Sequence, residues 1–142
     1  MYVVDASVWV SRFVARDVFH AQSRQWIGAM VAAQTILTAP AVLLPEVGGA
    51  LARQTGRPEL AIRALSLLQR LPNLRIAFIE AELALASGEL AAQLRMRGAD
   101  ALYVALAERL GVPLVTWDRE QRERGSGRVE TLTPTEALGA TR

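Results

Sequence analysis

Lysine and cysteine are both missing from this chain of 142 residues, and histidine occurs once. All sixteen basic residues are therefore arginine. Without cysteine there is no disulfide, no thiolate nucleophile and no cysteine-ligated zinc, and the composition fits a reducing, cytoplasmic setting. Without lysine there is no P-loop, whose lysine contacts the β- and γ-phosphates. A protein-kinase site is excluded too, because it needs a lysine on its third strand. His20 alone cannot build a multi-histidine metal site, and its helical surroundings give it an ordinary surface or half-buried role. Long apolar runs are also lacking. Charges or prolines interrupt each one well short of spanning length, so no transmembrane helix is expected. Nor is an N-terminal targeting segment, since the chain enters a strand at once and reaches Asp5 without a basic leader.

What is present suffices for a core. The chain is 51% hydrophobic, and its length suits one domain over residues 1–142. A net charge of +2 is modest. Arginine suits bidentate phosphate contacts, although a biased genome composition is the plainer account of its exclusive use.

Apolar runs and their punctuation predict strands at Tyr2–Val4, Thr35–Thr38 (ended by Ala39-Pro40) and Leu74–Ile79. A fourth strand follows Gly111-Val112-Pro113, and Arg128–Leu132 forms a fifth. Helices are expected from about Ser7, and from an Asp17 N-cap to about Ala33 with Phe19, Trp26, Ile27 and Met30 on its apolar face. Further helices cover Ala41–Thr55, with Pro45 in its first turn or at a kink, and Pro58–Leu71. Glu80–Arg97, stopped by Gly98, and Ala99–Leu110 complete the long ones. Short helical turns fall at Glu120–Arg124 and Thr135–Leu138, and Gly125-Ser126-Gly127 reads as a loop. Strands alternating with helices predict an α/β fold, a three-layer α/β/α sandwich around a five-stranded, mainly parallel sheet.

The acids carry the chemical signal. Aspartate occurs only at positions 5, 17, 100 and 118, and three of these sites punctuate predicted elements. Asp5 closes the run Tyr2-Val3-Val4, and Asp118 follows Leu114-Val115-Thr116 by two residues. The carboxyl ends of parallel strands line the ligand crevice of an open α/β sheet. Carboxylates gathered there repel one another unless a cation or shared protons hold them, and a hard divalent ion takes oxygen ligands. Taken singly, Asp5, Asp100 and Asp118 each suit a helix start, where capping and the helix dipole favour an acid. Glu46 is different. Its helical neighbours are Val42, Leu43, Gly49 and Ala50, an apolar stripe. A carboxylate there is costly unless it is paired, hydrogen-bonded or metal-bound. Pairing with an arginine across the core, or a helix rotated to expose it, are the plain alternatives. Gly48 and Gly49 beside it remove bulk and permit close approach by a substrate backbone or another element.

Read in order, Val3-Val4-Asp5-Ala6-Ser7, then Glu46, then Asp100-Ala101-Leu102-Tyr103-Val104-Ala105, then Leu114-Val115-Thr116-Trp117-Asp118-Arg119 resemble the PIN-domain nucleases. The likeness is in particular to the VapC-type toxins of bacterial toxin–antitoxin pairs, and it covers nearly the whole chain. The resemblance implies Asp5 and Asp100 as principal ligands of Mg²⁺ or Mn²⁺, with Asp118 a further ligand or the holder of a metal-bound water. Glu46 would bind a second metal or position the attacking water, and Ser7 and Thr116 would support the acids. The implied chemistry is metal-assisted hydrolysis of phosphodiester bonds in single-stranded RNA, leaving a 3′-hydroxyl. A homodimer and a small VapB-type antitoxin laid across the cleft are implied as well. Apolar faces for these partners would come from the Phe13–Met30 and Leu60–Leu71 segments. Trp117 departs from the pattern, which leads one to expect a smaller or polar residue, and alters the rim. Arg12, Arg119 and Arg122 lie near the acids in sequence and are candidates to guide the RNA backbone.

Three other readings are open. One is a PIN nuclease for RNA processing with no antitoxin. A second, a HAD-like phosphatase, wants a second acid where Ser7 stands and usually a later lysine. The third is a non-enzymatic binding module whose acids merely cap helices.

Overall fold

The computed structural model describes residues 1–140. Its strands are β1 (Tyr2–Val4), β2 (Leu37–Pro40), β3 (Leu74–Ala77), β4 (Leu114–Val115) and β5 (Thr131–Leu132). They form one sheet in the order β3-β2-β1-β4-β5, and every pairing is parallel. The helices are α1 (Ala6–Phe13), α2 (His20–Ala32), α3 (Leu43–Thr55), α4 (Pro58–Arg70), α5 (Ala81–Leu94), α6 (Gly98–Leu110), α7 (Arg119–Gly125) and α8 (Pro134–Ala140). The expected α/β architecture is borne out, with a sheet that is wholly rather than mainly parallel. Val3, Val4, Leu37, Ala39, Leu114 and Val115 are all fully buried. Parallel strands covered on both faces read as unbroken apolar runs for that reason.

The order of the strands positions the site. From β1 the chain steps outward through β2 to β3, then crosses back to place β4 on the other flank of β1. The carboxyl ends of β1 and β4 thus border the switch point, where open α/β sheets leave a crevice. Helix α6 lies against β1 and β2, α5 packs on α6, and α3 packs between α1 and α4. Gly48 permits that last contact, since a Cβ there would stand 3.3 Å from Leu65 Cδ1 on α4. The close approach anticipated at this glycine is therefore by another helix.

Several boundaries differ from the sequence reading. Strand β2 begins and ends two residues later than expected, taking in Ala39 and Pro40, which pair with Ile76 and Ala77 of β3. Proline is tolerated at the strand's last position. Phe78 is 87% exposed, so β3 stops before it. Asp17 does not cap α2: its Oδ1 accepts from Phe19 N at 2.8 Å in a turn, and the helix starts at His20. Phe19 accordingly lies outside the helix, while Trp26, Ile27 and Met30 are buried as expected.

Helix α5 ends at Leu94 because Arg95 adopts a left-handed conformation (φ 53°), and Gly98 opens α6 instead of stopping α5. Gly125 closes α7 and packs tightly, since a Cβ would lie 3.2 Å from Val104 Cγ2. Arg128 and Val129 donate to Gly125 O in the following turn, so β5 starts only at Thr131. The terminal turn is a true helix, α8. Thr133 Oγ1 accepts from Glu136 N at 3.2 Å while Glu136 Oε2 accepts from Thr133 N at 2.6 Å, a reciprocal capping box. No helix among the described residues is long and apolar enough to cross a membrane.

Candidate active site

Asp5, Glu46, Asp100 and Asp118 line one cavity of about 410 Å³. The fold draws them from four places. Asp5 leaves β1, Asp118 follows β4, Asp100 sits in the first turn of α6 and Glu46 in the first turn of α3.

Asp5 and Asp118 do cap helices, as their positions foretold. Asp5 Oδ2 accepts from Ser7 N at 2.8 Å and Asp118 Oδ1 accepts from Gln121 N at 2.9 Å. Each cap occupies one carboxylate oxygen and leaves the other for a different partner, so capping and ligation are compatible. Ser7 and Thr116 stitch the two strand ends together. Their hydroxyls lie 3.3 Å apart, Ser7 Oγ accepts from Trp117 N at 3.0 Å, and Thr116 Oγ1 accepts from Asp118 N at 3.0 Å.

Glu46 is half-buried, and its partner is a hydroxyl, not the arginine weighed as an alternative: Tyr103 Oη donates to Glu46 Oε2 at 2.6 Å. Tyr103 itself is fully buried in α6. Burial is the main influence on this phenol, and with the charges of Asp5 and Glu46 it holds Tyr103 protonated far above the usual range.

The acids are electrostatically crowded. Burial pushes the Asp5 carboxyl up, against hydrogen bonds from Ser7, Gln121 and Thr116 that hold it down. Burial also raises Glu46, reinforced by Asp5 and Asp100 and opposed by the Tyr103 hydrogen bond and Arg97. Asp100 is raised by burial and by the charges of Asp5 and Asp118, with Arg97 opposing. An all-carboxylate donor set under mutual repulsion suits a hard divalent cation. Among the described residues the side chains do not yet converge into a ready cage for an ion. Arg97 explains why. Its Nε donates to Asp100 Oδ2 at 2.7 Å and a terminal nitrogen donates to Asp118 Oδ2 at 2.8 Å, so a guanidinium stands between two of the acids.

Sequence reading missed three polar contributors. Gln121 is completely buried, with Nε2 donating to Asp5 Oδ1 and to the Asp100 carbonyl, both at 3.3 Å, and with Oε1 unpartnered. Its spacing of three from Asp118 on a helix was the available signal. Arg97 and Arg53 are the arginines that line the cavity, and Arg12, Arg119 and Arg122 do not. Arg119 is tied to Glu123 and Arg122 to Glu136, while Arg12 is half-buried near Arg24.

The fold and the site define a class: parallel α/β proteins with a carboxylate cleft at the sheet's switch point. A family model, that of the PIN domain, matches residues 2–126, a span that includes all four acids, and the chain belongs to that family. Solved structures agree on the fold. VapC20 of Mycobacterium tuberculosis, described as a sarcin-ricin loop cleaving toxin, is 20% identical with a TM-score of 0.70, covering 92% of this chain and 98% of its own. PAE2754 of Pyrobaculum aerophilum is 23% identical with a TM-score of 0.70, covering 99% and 97%. VapBC2 of Rickettsia felis, bound to a promoter DNA fragment, is 16% identical with a TM-score of 0.69, covering 93% and 97%. No curated protein sequence matches the chain.

Proposed function

We propose that this protein is a metal-dependent endoribonuclease that hydrolyses phosphodiester bonds of single-stranded RNA, and that it is the toxin of a toxin–antitoxin pair. One observation carries the nuclease reading: four acids separated by up to 113 positions line a single cleft at the switch point of the sheet. Asp5, Asp100 and Asp118 would hold Mg²⁺ or Mn²⁺, which when bound supplies an activated water and neutralises phosphate charge.

The protein's own groups do the rest. Ser7, Thr116 and Gln121 fix the rotamers of Asp5 and the turn bearing Asp118. Glu46, anchored by Tyr103 and raised in proton affinity, orients the attacking water and takes up its proton. Arg53 makes no ion pair among the described residues and faces the cavity, so its guanidinium is available to a phosphate of the strand. Arg97, whose side chain is 69% exposed, bridges Asp100 and Asp118 and would have to yield their oxygens to a cation held there.

The toxin reading is supported by the structural likeness to VapC20 and to VapBC assemblies. On that reading a small VapB-type protein covers the cleft, and the chain pairs with a second copy. Exposed Ile62 and Leu67 on α4 offer apolar area for one of these contacts. The test is expression with and without a candidate VapB-type partner, following growth and RNA integrity. Growth arrest with RNA breakdown, relieved by the partner and abolished in Asp100→Ala, is the expected result. Arrest that persists in Asp100→Ala removes the nuclease assignment, and RNA breakdown without arrest leaves an RNA-processing enzyme.

A further inference from the structure

Phe19 and Trp117 stack face to face at the mouth of the cleft, with ring centroids 4.1 Å apart and planes 7° from parallel. Both line the cavity that holds the four acids. Phe19 is no core residue, being 37% exposed in the turn before α2. Trp117 is held rigidly. Its backbone N–H donates to Ser7 Oγ at 3.0 Å and its indole Nε1–H donates to Ser23 Oγ at 2.7 Å, while Ser23 Oγ lies 2.7 Å from Ser11 Oγ. The indole plane is therefore set before any ligand arrives, one residue from Asp118.

A pre-oriented aromatic pair beside the acids, with Phe19 exposed and Trp117 partly buried beneath it, has the chemistry of a nucleobase seat. Base–aromatic stacking needs only a π-face, tolerates any base and adds affinity where the backbone contacts are purely electrostatic. Arg53 and Arg97 line the same cavity as the aromatics and supply guanidinium partners for the phosphates that flank a seated base. A base within a duplex is stacked on its neighbours and cannot reach the pair, so the seat also discriminates in favour of an unpaired strand.

We propose that Phe19 and Trp117 form a stacking platform that holds one unpaired nucleobase of the substrate strand beside the scissile phosphate. The identity of the ligand rests on the ribonuclease reading.

The experiment titrates the full-length protein with a short single-stranded RNA and with the same strand made abasic, using Ca²⁺ in place of Mg²⁺ and checking that the strand stays intact. Trp9 and Trp26 are buried, which leaves Trp117 as the indole open to quenching. The intact strand should quench it, and Phe19→Ala should weaken binding about 5- to 100-fold. Phe19→Leu should lose affinity almost as far although it keeps apolar bulk against the indole, and Phe19→Tyr should retain it. The abasic strand should bind wild type and Phe19→Ala alike. Equal affinity of wild type, Phe19→Ala and Phe19→Leu for the intact strand overturns the platform. So does a Phe19 effect as large on the abasic strand, or one confined to binding of a protein inhibitor. RNA cleavage with Mn²⁺ is scored separately: cleavage without Phe19-dependent stacking removes the platform alone, and Phe19-dependent stacking without cleavage removes the nuclease reading alone.

Discussion

Tyr103 donates its hydroxyl hydrogen to Glu46 Oε2 at 2.6 Å, linking the buried face of α6 to the acid on α3. The bond spans 57 residues of sequence and fixes the rotamer of Glu46, the acid that its neighbours left hardest to explain. Removing the hydroxyl leaves a half-buried carboxylate without its donor. Tyr103→Phe should therefore lower stability by about 1–2 kcal/mol and slow metal-dependent cleavage by about 10–100-fold. Chemical denaturation and initial rates measure the two effects. An unchanged rate would show that Glu46 does not need this anchor.

Arg97 is the present counter-ion of Asp100 and Asp118, and a divalent ion held by these acids would compete with it. Arg97→Gln should bind Mn²⁺ about two- to fivefold more tightly, because it removes a cation that competes for Asp100 and Asp118, its pair with Asp118 being exposed and weak. Calorimetric titration of the two proteins decides the matter. Weaker binding in Arg97→Gln would mean that the guanidinium organises the acids for the ion instead of competing with it.

The crowded carboxyls make the metal-free fold sensitive to pH. Asp5, Glu46 and Asp100 hold their protons to higher pH in the folded chain than the ordinary values of 3.8 for Asp and 4.5 for Glu. Their contribution to stability is thus complete below those values and is lost as pH rises through the elevated folded values. Asp5→Asn cannot ionise there, yet its amide oxygen can still accept from Ser7 N. Without metal, the variant should match wild type in acid and exceed it in melting temperature above the elevated range. Wild type exceeding Asp5→Asn in metal-free neutral buffer would contradict the sign of this effect.

Much of the fold and part of the site could be read from the residues. The apolar runs of β1, β2 and β4 announced a doubly covered parallel sheet, because both faces of such strands are buried. Asp5 and Asp118 were visible because they end those runs, and Glu46 because its helical neighbours are apolar. The gaps have physical causes. Arg95 takes a left-handed turn without being glycine, so composition gave no warning that α5 stops there. Arg119 and Arg122 lie next to Asp118 in sequence, but Glu123 and Glu136 hold them, and Arg97, 21 positions away, reaches the acid instead. Gln121 is polar and flanked by charges, so only its spacing from Asp118 hinted that the short α7 turns it inward. Phe19 read as a helix core residue until the helix proved to begin after it.

Cleavage of a single-stranded RNA by purified protein, with Mn²⁺ and with chelator, for wild type and Asp100→Asn, tests the central claim most directly. The proposed metal site of Asp5, Asp100 and Asp118 predicts cleavage by wild type with Mn²⁺, none with chelator, and a loss of at least about 100-fold in Asp100→Asn. Cleavage that survives chelation, or that Asp100→Asn performs as well as wild type, would contradict it.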